Sequence, residues 1–170
     1  RSSKPDVRIG ALVRAFKRGL HGDAAVERAL RNRCEDKDAD VRRTALLVSM
    51  LRRPALVAAL RARDKDLHRA FHELEVGPVE SDDKLPKLKK AAVELGPDEL
   101  VPLVEAAASH ALDTCLAGAS ALALLQDPRA LGTLLQLSRD RSNEARVQAC
   151  KALANLDDER AVQQIGRAHV

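Results

Sequence analysis

One stretch of the chain occurs twice. Ala121-Leu-Ala-Leu-Leu-Gln-Asp-Pro-Arg-Ala-Leu131 returns 31 residues later as Ala152-Leu-Ala-Asn-Leu-Asp-Asp-Glu-Arg-Ala-Val162, with Ala, Leu, Ala, Leu, Asp, Arg and Ala in register. A second pair lies 104 residues apart: Asp36-x-x-x-Asp40-Val41-Arg42-x-x-Ala45 and Asp140-x-x-x-Glu144-Ala145-Arg146-x-x-Ala149. Asp66-Leu67-His68-Arg69-Ala70 reads as a degenerate third copy. A unit of this length is one helical hairpin, too small to bury its own apolar face. Such units fold by stacking on their neighbours.

Composition agrees with helices. Of 170 residues, 45% are hydrophobic but only 1% aromatic, with no Trp and no Tyr, 8 Gly and 7 Pro. Sandwiches and barrels need β-branched and aromatic strands with many turn residues, so neither is expected. Ile9, Leu12, Val13, Phe16 and Leu20 share one helical face, with Arg14, Lys17 and Arg18 opposite. This spacing predicts helices near 6–20, 23–34, 39–52, 54–63, 66–75, 86–95, 98–108 and 111–125. A final pair follows. Asp127 caps its first helix, Pro128 takes the first position, and Leu131, Leu134 and Leu135 recur behind it. Asp140 to Asn143 makes the turn. The second helix starts near Glu144 and buries Val147, Cys150, Leu153 and Ala154, while the small Ala149 and Ala152 let neighbouring helices approach closely. Pro102 falls in a first turn, where proline is tolerated. The fold class read from this is all-α, an α-solenoid of antiparallel hairpins. Basic N-terminal hairpins span 4–75, a loop 76–84, and C-terminal hairpins 85–164. Residues 165–170 are expected to be a non-native tail, and the chain a piece of a longer protein.

At these residues the chain resembles the short HEAT-like repeats named after phycobilisome lyases. The shared pattern is Asp-Pro-Arg-Ala-Leu, then Asp-x-x-x-Glu-Ala-Arg-x-x-Ala, then Ala-Leu-x-x-Leu. It fits 127–156 closely, 23–51 well, 54–75 and 98–125 loosely, and 76–96 not at all. The resemblance implies a right-handed superhelix whose second helices line a concave face, serving as a scaffold for varied partners.

Charge is uneven. Residues 1–69 hold 18 Lys/Arg against 9 Asp/Glu, and residues 70–170 hold 11 against 16, within an overall +4. A basic half can steer an anionic partner. Helix 39–52 is apolar almost all round, with Arg42, Ser49 and Arg53 forming its polar stripe. Arg61 and Arg63 follow. These five residues are the candidate partner- or anion-binding set. The competing reading is a polar ladder between repeats that joins Arg42 and Arg146 to acids such as Asp36 and Asp140, and it is the favoured one. The basic half has no Trp or Tyr to stack on bases, so nucleic acid would have to be held through phosphates alone. HEAT-type alkylpurine glycosylases surround the base with aromatics, and that likeness fails here.

His68 and His72 stand one turn apart, a spacing that can chelate a metal, but Arg69 occupies the place a zincin glutamate needs. HEAT-like deoxyhypusine hydroxylases carry several His-Glu pairs; this chain has only His72-Glu73. Both histidines are therefore expected at the surface or at caps, without metal. Cys34, Cys115 and Cys150 have no metal spacing and read as small buried hydrophobes in a reducing compartment. No apolar run is long enough to span a membrane. The expected function is non-catalytic and cofactor-free: a cytoplasmic scaffold binding a protein partner or a neighbouring domain, with nucleic-acid or polyanion binding as the alternative and part of a HEAT-repeat enzyme third.

Overall fold

The computed structural model describes residues 4–19, 24–81, 85–86, 95–156, 158–159 and 161–162. Among them every regular element is helical, and no strand occurs. The α-helices are α1 (Pro5–Lys17), α2 (Ala24–Cys34), α3 (Ala39–Leu51), α4 (Pro54–Arg61), α5 (Lys65–Glu75), α6 (Val101–Ala107), α7 (Leu112–Leu124), α8 (Ala130–Leu137) and α9 (Asn143–Leu153), with a 3-10 turn at Pro97–Leu100. The chain is all-α. Leu20, most of the expected helix 86–95 and the tail 165–170 lie outside the described residues.

Local chemistry sets the helix starts. Asp38 caps α3 by accepting from the Asp40 and Val41 amides. Asp64 caps α5 through the Leu67 amide, and Ser142 caps α9 through the Ala145 amide. Pro5, Pro54 and Pro102 occupy first turns, where the missing N–H leaves no bond unmade. Pro128 differs from expectation. Asp127 does accept the Arg129 amide at 2.9 Å, but residues 128–129 form a tight turn and α8 begins at Ala130. The Ala130 and Leu131 amides bond three residues back, to Asp127 and Pro128, which delays the α-helix.

The chain divides into two compact units, Arg1–Glu99 and Leu100–Val170. In the first, α3 packs against α1, α2, α4 and α5, which is why it is apolar on nearly every side. Its Val41, Ala45 and Val48 meet Leu12 of α1 and Leu30 of α2, with Ile9, Phe16 and Val26 closing the edge. In the second, α7 packs against α6, α8 and α9. The equivalent Leu122 and Leu153 are 1% and 0% exposed, as the repeat requires. Gly118 brings α7 onto α6: a Cβ there would lie 2.5 Å from the Ala107 nitrogen and 2.7 Å from the Ala106 Cβ.

On α9 the buried stripe is Ala145, Ala149, Ala152 and Leu153. Val147 is 45% exposed and Ala154 lies at the surface. The small residues, not the larger valine, face the core, because close helix approach selects alanine. Of the loop 76–84, residues 76–81 are described. They are non-helical, with Val76, Pro78 and Glu80 exposed and Gly77 at φ 143°.

Candidate functional site

The repeat pattern is a turn-building device. Asp36 accepts the amide of Asp38, and the Arg42 guanidinium donates to the Asp36 carbonyl at 2.6 Å. In the distant copy Asp140 accepts the amide of Ser142, and Arg146 donates to the Asp140 carbonyl at 3.0 Å. Arg146 also bonds the Arg141 carbonyl and the Asn143 side chain. The expected ladder between repeats is thus corrected. These bonds stay within one hairpin and end on the backbone oxygen of the aspartate, because its carboxylate is already committed to the next turn.

The same register extends to a further copy that residue identities do not reveal. Ser109 Oγ accepts the Ala111 amide at 3.1 Å, as Asp36 and Asp140 do two residues ahead of themselves. Cys115 then stands where Arg42 and Arg146 stand, and its thiol donates to the Ala107 carbonyl at 3.1 Å. In the degenerate copy Asp64 keeps the capping role of Asp38, and His68 takes the arginine position, its Nε2 lying 3.1 Å from the Pro86 carbonyl oxygen. Each copy puts a polar side chain against a backbone oxygen. The signal that could have found the Ser109 copy is the offset of 31, which maps Ser109 onto Asp140, Cys115 onto Arg146 and Gly118 onto Ala149.

The candidate arginines are mostly held by backbone or acids. Arg53 donates to the Ser49 and Asp98 carbonyls, and Arg63 to the Ala59 carbonyl. The Ser49 hydroxyl bonds the Ala45 carbonyl one turn back. Arg61 pairs with Glu75 and lies 5.5 Å from the centre of the Phe71 ring, within cation–π range. Arg53 thus joins Ser49, as the stripe implied, while Arg61 belongs to α4 and α5.

His68 is buried rather than superficial, and its Nδ1 has no hydrogen-bond partner among the described residues. Its position on the inner face of α5, beside the fully buried Phe71, accounts for this. Among the described residues no three His, Cys, Asp or Glu side chains cluster as a metal site would require. The three cysteines are half-buried thiols, not fully buried ones, and none is in a disulfide. No described helix is long and apolar enough to cross a membrane.

A second feature lies on the first unit. Both α1 and α2 rest on α3, and a cleft of about 300 Å³ opens between them. Its floor is Leu12, Leu30 and Val48. Arg8, Arg33 and Arg52 border it. Arg8 donates to Asp36 Oδ1 at 2.9 Å, Arg33 to Asp36 Oδ2 at 2.8 Å, and Arg52 Nη1 lies 3.3 Å from Glu27 Oε1. Burial pushes the Asp36 carboxyl up, but the Asp38 amide and the Arg33 and Arg8 guanidiniums more than offset it, leaving it below its usual value. Asp127 is also held low: its bond to the Arg129 side chain outweighs burial, and the Arg129 amide adds to it. No family model, no curated protein and no solved structure matches this chain.

Proposed function

We propose that the chain is a non-catalytic interaction scaffold, an array of HEAT-like helical hairpins that binds a partner protein or another domain of its own polypeptide and needs no cofactor. One observation carries this reading. A side-chain acceptor that takes the amide two residues on recurs at Asp36, Ser109 and Asp140, and the arginine bond back to the acceptor's own carbonyl recurs at Asp36 and Asp140. Recurrence of one turn supports the reading of a repeat array, and repeat arrays offer an extended face for binding. The cytoplasm, with reduced thiols, suits its three unbridged cysteines.

The second reading, binding of nucleic acid or another polyanion, draws on the excess of 18 Lys/Arg over 9 Asp/Glu in residues 1–69. Against it, Arg42, Arg53 and Arg63 are engaged with carbonyls and Arg61 with Glu75. A filter-binding titration of the whole chain with DNA and RNA over a salt series separates the two. The scaffold reading expects weak binding. It also expects joint replacement of Arg42, Arg53 and Arg61 by Gln to cost stability, about 1–3 kcal/mol. Submicromolar, salt-steep affinity that the triple change abolishes without loss of helicity would reverse the order.

A further inference from the structure

We propose that the face of α1 at Val7, Ala11 and Ala15 is a docking site for an amphipathic helix of a partner protein. That helix lies antiparallel to α1, in the place that α2, α6 and α8 take against α3, α7 and α9. The proposal rests on the scaffold reading and adds to it one binding face and the kind of partner that fits there.

Register carries the inference. Arg8, Arg42, Cys115 and Arg146 are each the fourth residue of their helix, so α1 stands in the same role as α3, α7 and α9. Each of those three packs against the helix before it in sequence. Their third residues, Val41, Thr114 and Ala145, are buried, and so are their seventh, Ala45, Gly118 and Ala149. Gly118 shows what this face meets: the atoms that a Cβ there would strike belong to Ala106 and Ala107 of α6. In α1 the same two positions hold Val7, which is 48% exposed, and Ala11, which is also exposed. Leu12 of α1 is buried in the core with Val41, Ala45 and Val48 of α3. The face that α3, α7 and α9 cover with a helix stays bare on α1.

The surroundings of that face define the occupant. Val7, Ala11 and Ala15 line one side of the cleft, and Val26 and Ala29 of α2 line the other. From Val7 to Ala15 is about 12 Å at 1.5 Å per helical residue, the span of a short helix such as α8. Charge complementarity sets its direction. Arg52 caps the end of α3 and pairs at 3.3 Å with Glu27, in the first turn of α2. Arg18 caps the end of α1 in the same way and is exposed. The partner helix therefore carries an acid in its first turn, set against Arg18. It carries an aliphatic residue one turn later, directed at Ala11, where Leu30 stands in α2 and packs with Ala45.

The test is fluorescence anisotropy of the 170-residue chain with a labelled peptide of the α2 sequence, residues 24–34 with Cys34→Ser. A side-chain staple on its outer face keeps it helical, since so short a helix is marginal in water. The peptide should bind with a Kd below about 100 μM. A Leu30→Asp peptide should bind at least about tenfold more weakly. Ala11→Arg in the chain, on an exposed helix surface, should weaken binding as much and leave far-UV circular dichroism unchanged. Arg18→Glu should weaken binding by about threefold, and a Glu27→Lys peptide should restore it. Absence of binding at about 1 mM would overturn the proposal. So would binding that survives Ala11→Arg, or equal affinity for the Leu30→Asp peptide. Dimerisation of the free chain that Ala11→Arg abolishes would assign the face to a second copy and overturn it too. Should Ala11→Arg not fold, the Leu30→Asp peptide and the Arg18–Glu27 exchange decide. Failure here leaves the scaffold reading to the salt-series titration, which does not involve α1.

Discussion

Arg8 and Asp36 meet at 2.9 Å, twenty-eight residues apart in sequence and each only 5% exposed at the side chain. The pair ties the first turn of α1 to the turn between α2 and α3. Asp36 also holds Arg33 and the Asp38 amide, so a single carboxylate organises one whole end of the first unit. Removing one partner of a buried pair strands the other charge, so Asp36→Ala should cost about 3–5 kcal/mol in urea unfolding. A cost below about 1 kcal/mol would mean the pair is solvated in solution.

The same carboxylate sets an acid response. Its folded-state pKa lies below the ordinary 3.8, so its contribution is complete above the unfolded value and is lost as pH falls through the folded one. Asp127, held by Arg129, acts in the same direction. Melting temperature should be flat near neutrality and fall below about pH 4. Asp36→Asn should start lower and fall less steeply over that range. Parallel pH curves for the two proteins would contradict this.

Leu122 and Leu153 are the same residue of two successive repeats, and both are buried. Leu→Ala at either should cost about 2–5 kcal/mol, from lost apolar burial and the cavity left behind. An unchanged thermal melt for both would remove the register on which the repeat rests.

Gln126 has φ 58°, the left-handed region that favours glycine. It closes α7: its amide bonds the Ala123 carbonyl, and the Asp127 amide bonds the Leu122 carbonyl, a Schellman arrangement. Gln126→Gly should stabilise the chain by about 0.5–1 kcal/mol by relieving the Cβ clash. Destabilisation would show that the glutamine side chain makes a compensating interaction.

Two glycines give opposite expectations. Gly132 on α8 has open space where a methyl group would stand, so Gly132→Ala should gain about 0.5–1 kcal/mol from helix propensity. Gly118→Ala should lose about 1–3 kcal/mol despite the same propensity gain, since its methyl would strike the α6 backbone. Equal shifts in chemical denaturation would mean that α6 and α7 are not in close contact.

Helix positions are legible in the sequence because caps and apolar spacing are local. Asp38 and Ser142 mark starts, and Leu122 and Leu153 mark the core. Which face of α9 turns inward is legible only in part: Ala149, Ala152 and Leu153 mark the packed side, but Val147, read as buried for its hydrophobicity, lies at the surface. Close approach rewards smallness, and hydrophobicity alone does not encode it. The Ser109 copy is hidden for a chemical reason: Ser109 accepts the amide two residues on as Asp140 does, but with a hydroxyl, and Cys115 at the arginine position bonds a different carbonyl, that of Ala107. The Arg8–Asp36 pair and the cleft beside it depend on long-range packing of α1 on α3, and no short motif announces either.

The bond from Arg42 to Asp36, and its counterpart from Arg146 to Asp140, works as a ruler. Each spans six residues, from the entry of the turn to the first turn of the following helix. One residue added between them would swing the arginine about 100° around the helix axis and carry its guanidinium off the turn. Hairpins of this kind can therefore vary freely in the residues of their outer faces while the length of the turn stays metered. Substitution on the outer faces leaves this measure untouched, whereas any change in the length of the turn breaks it.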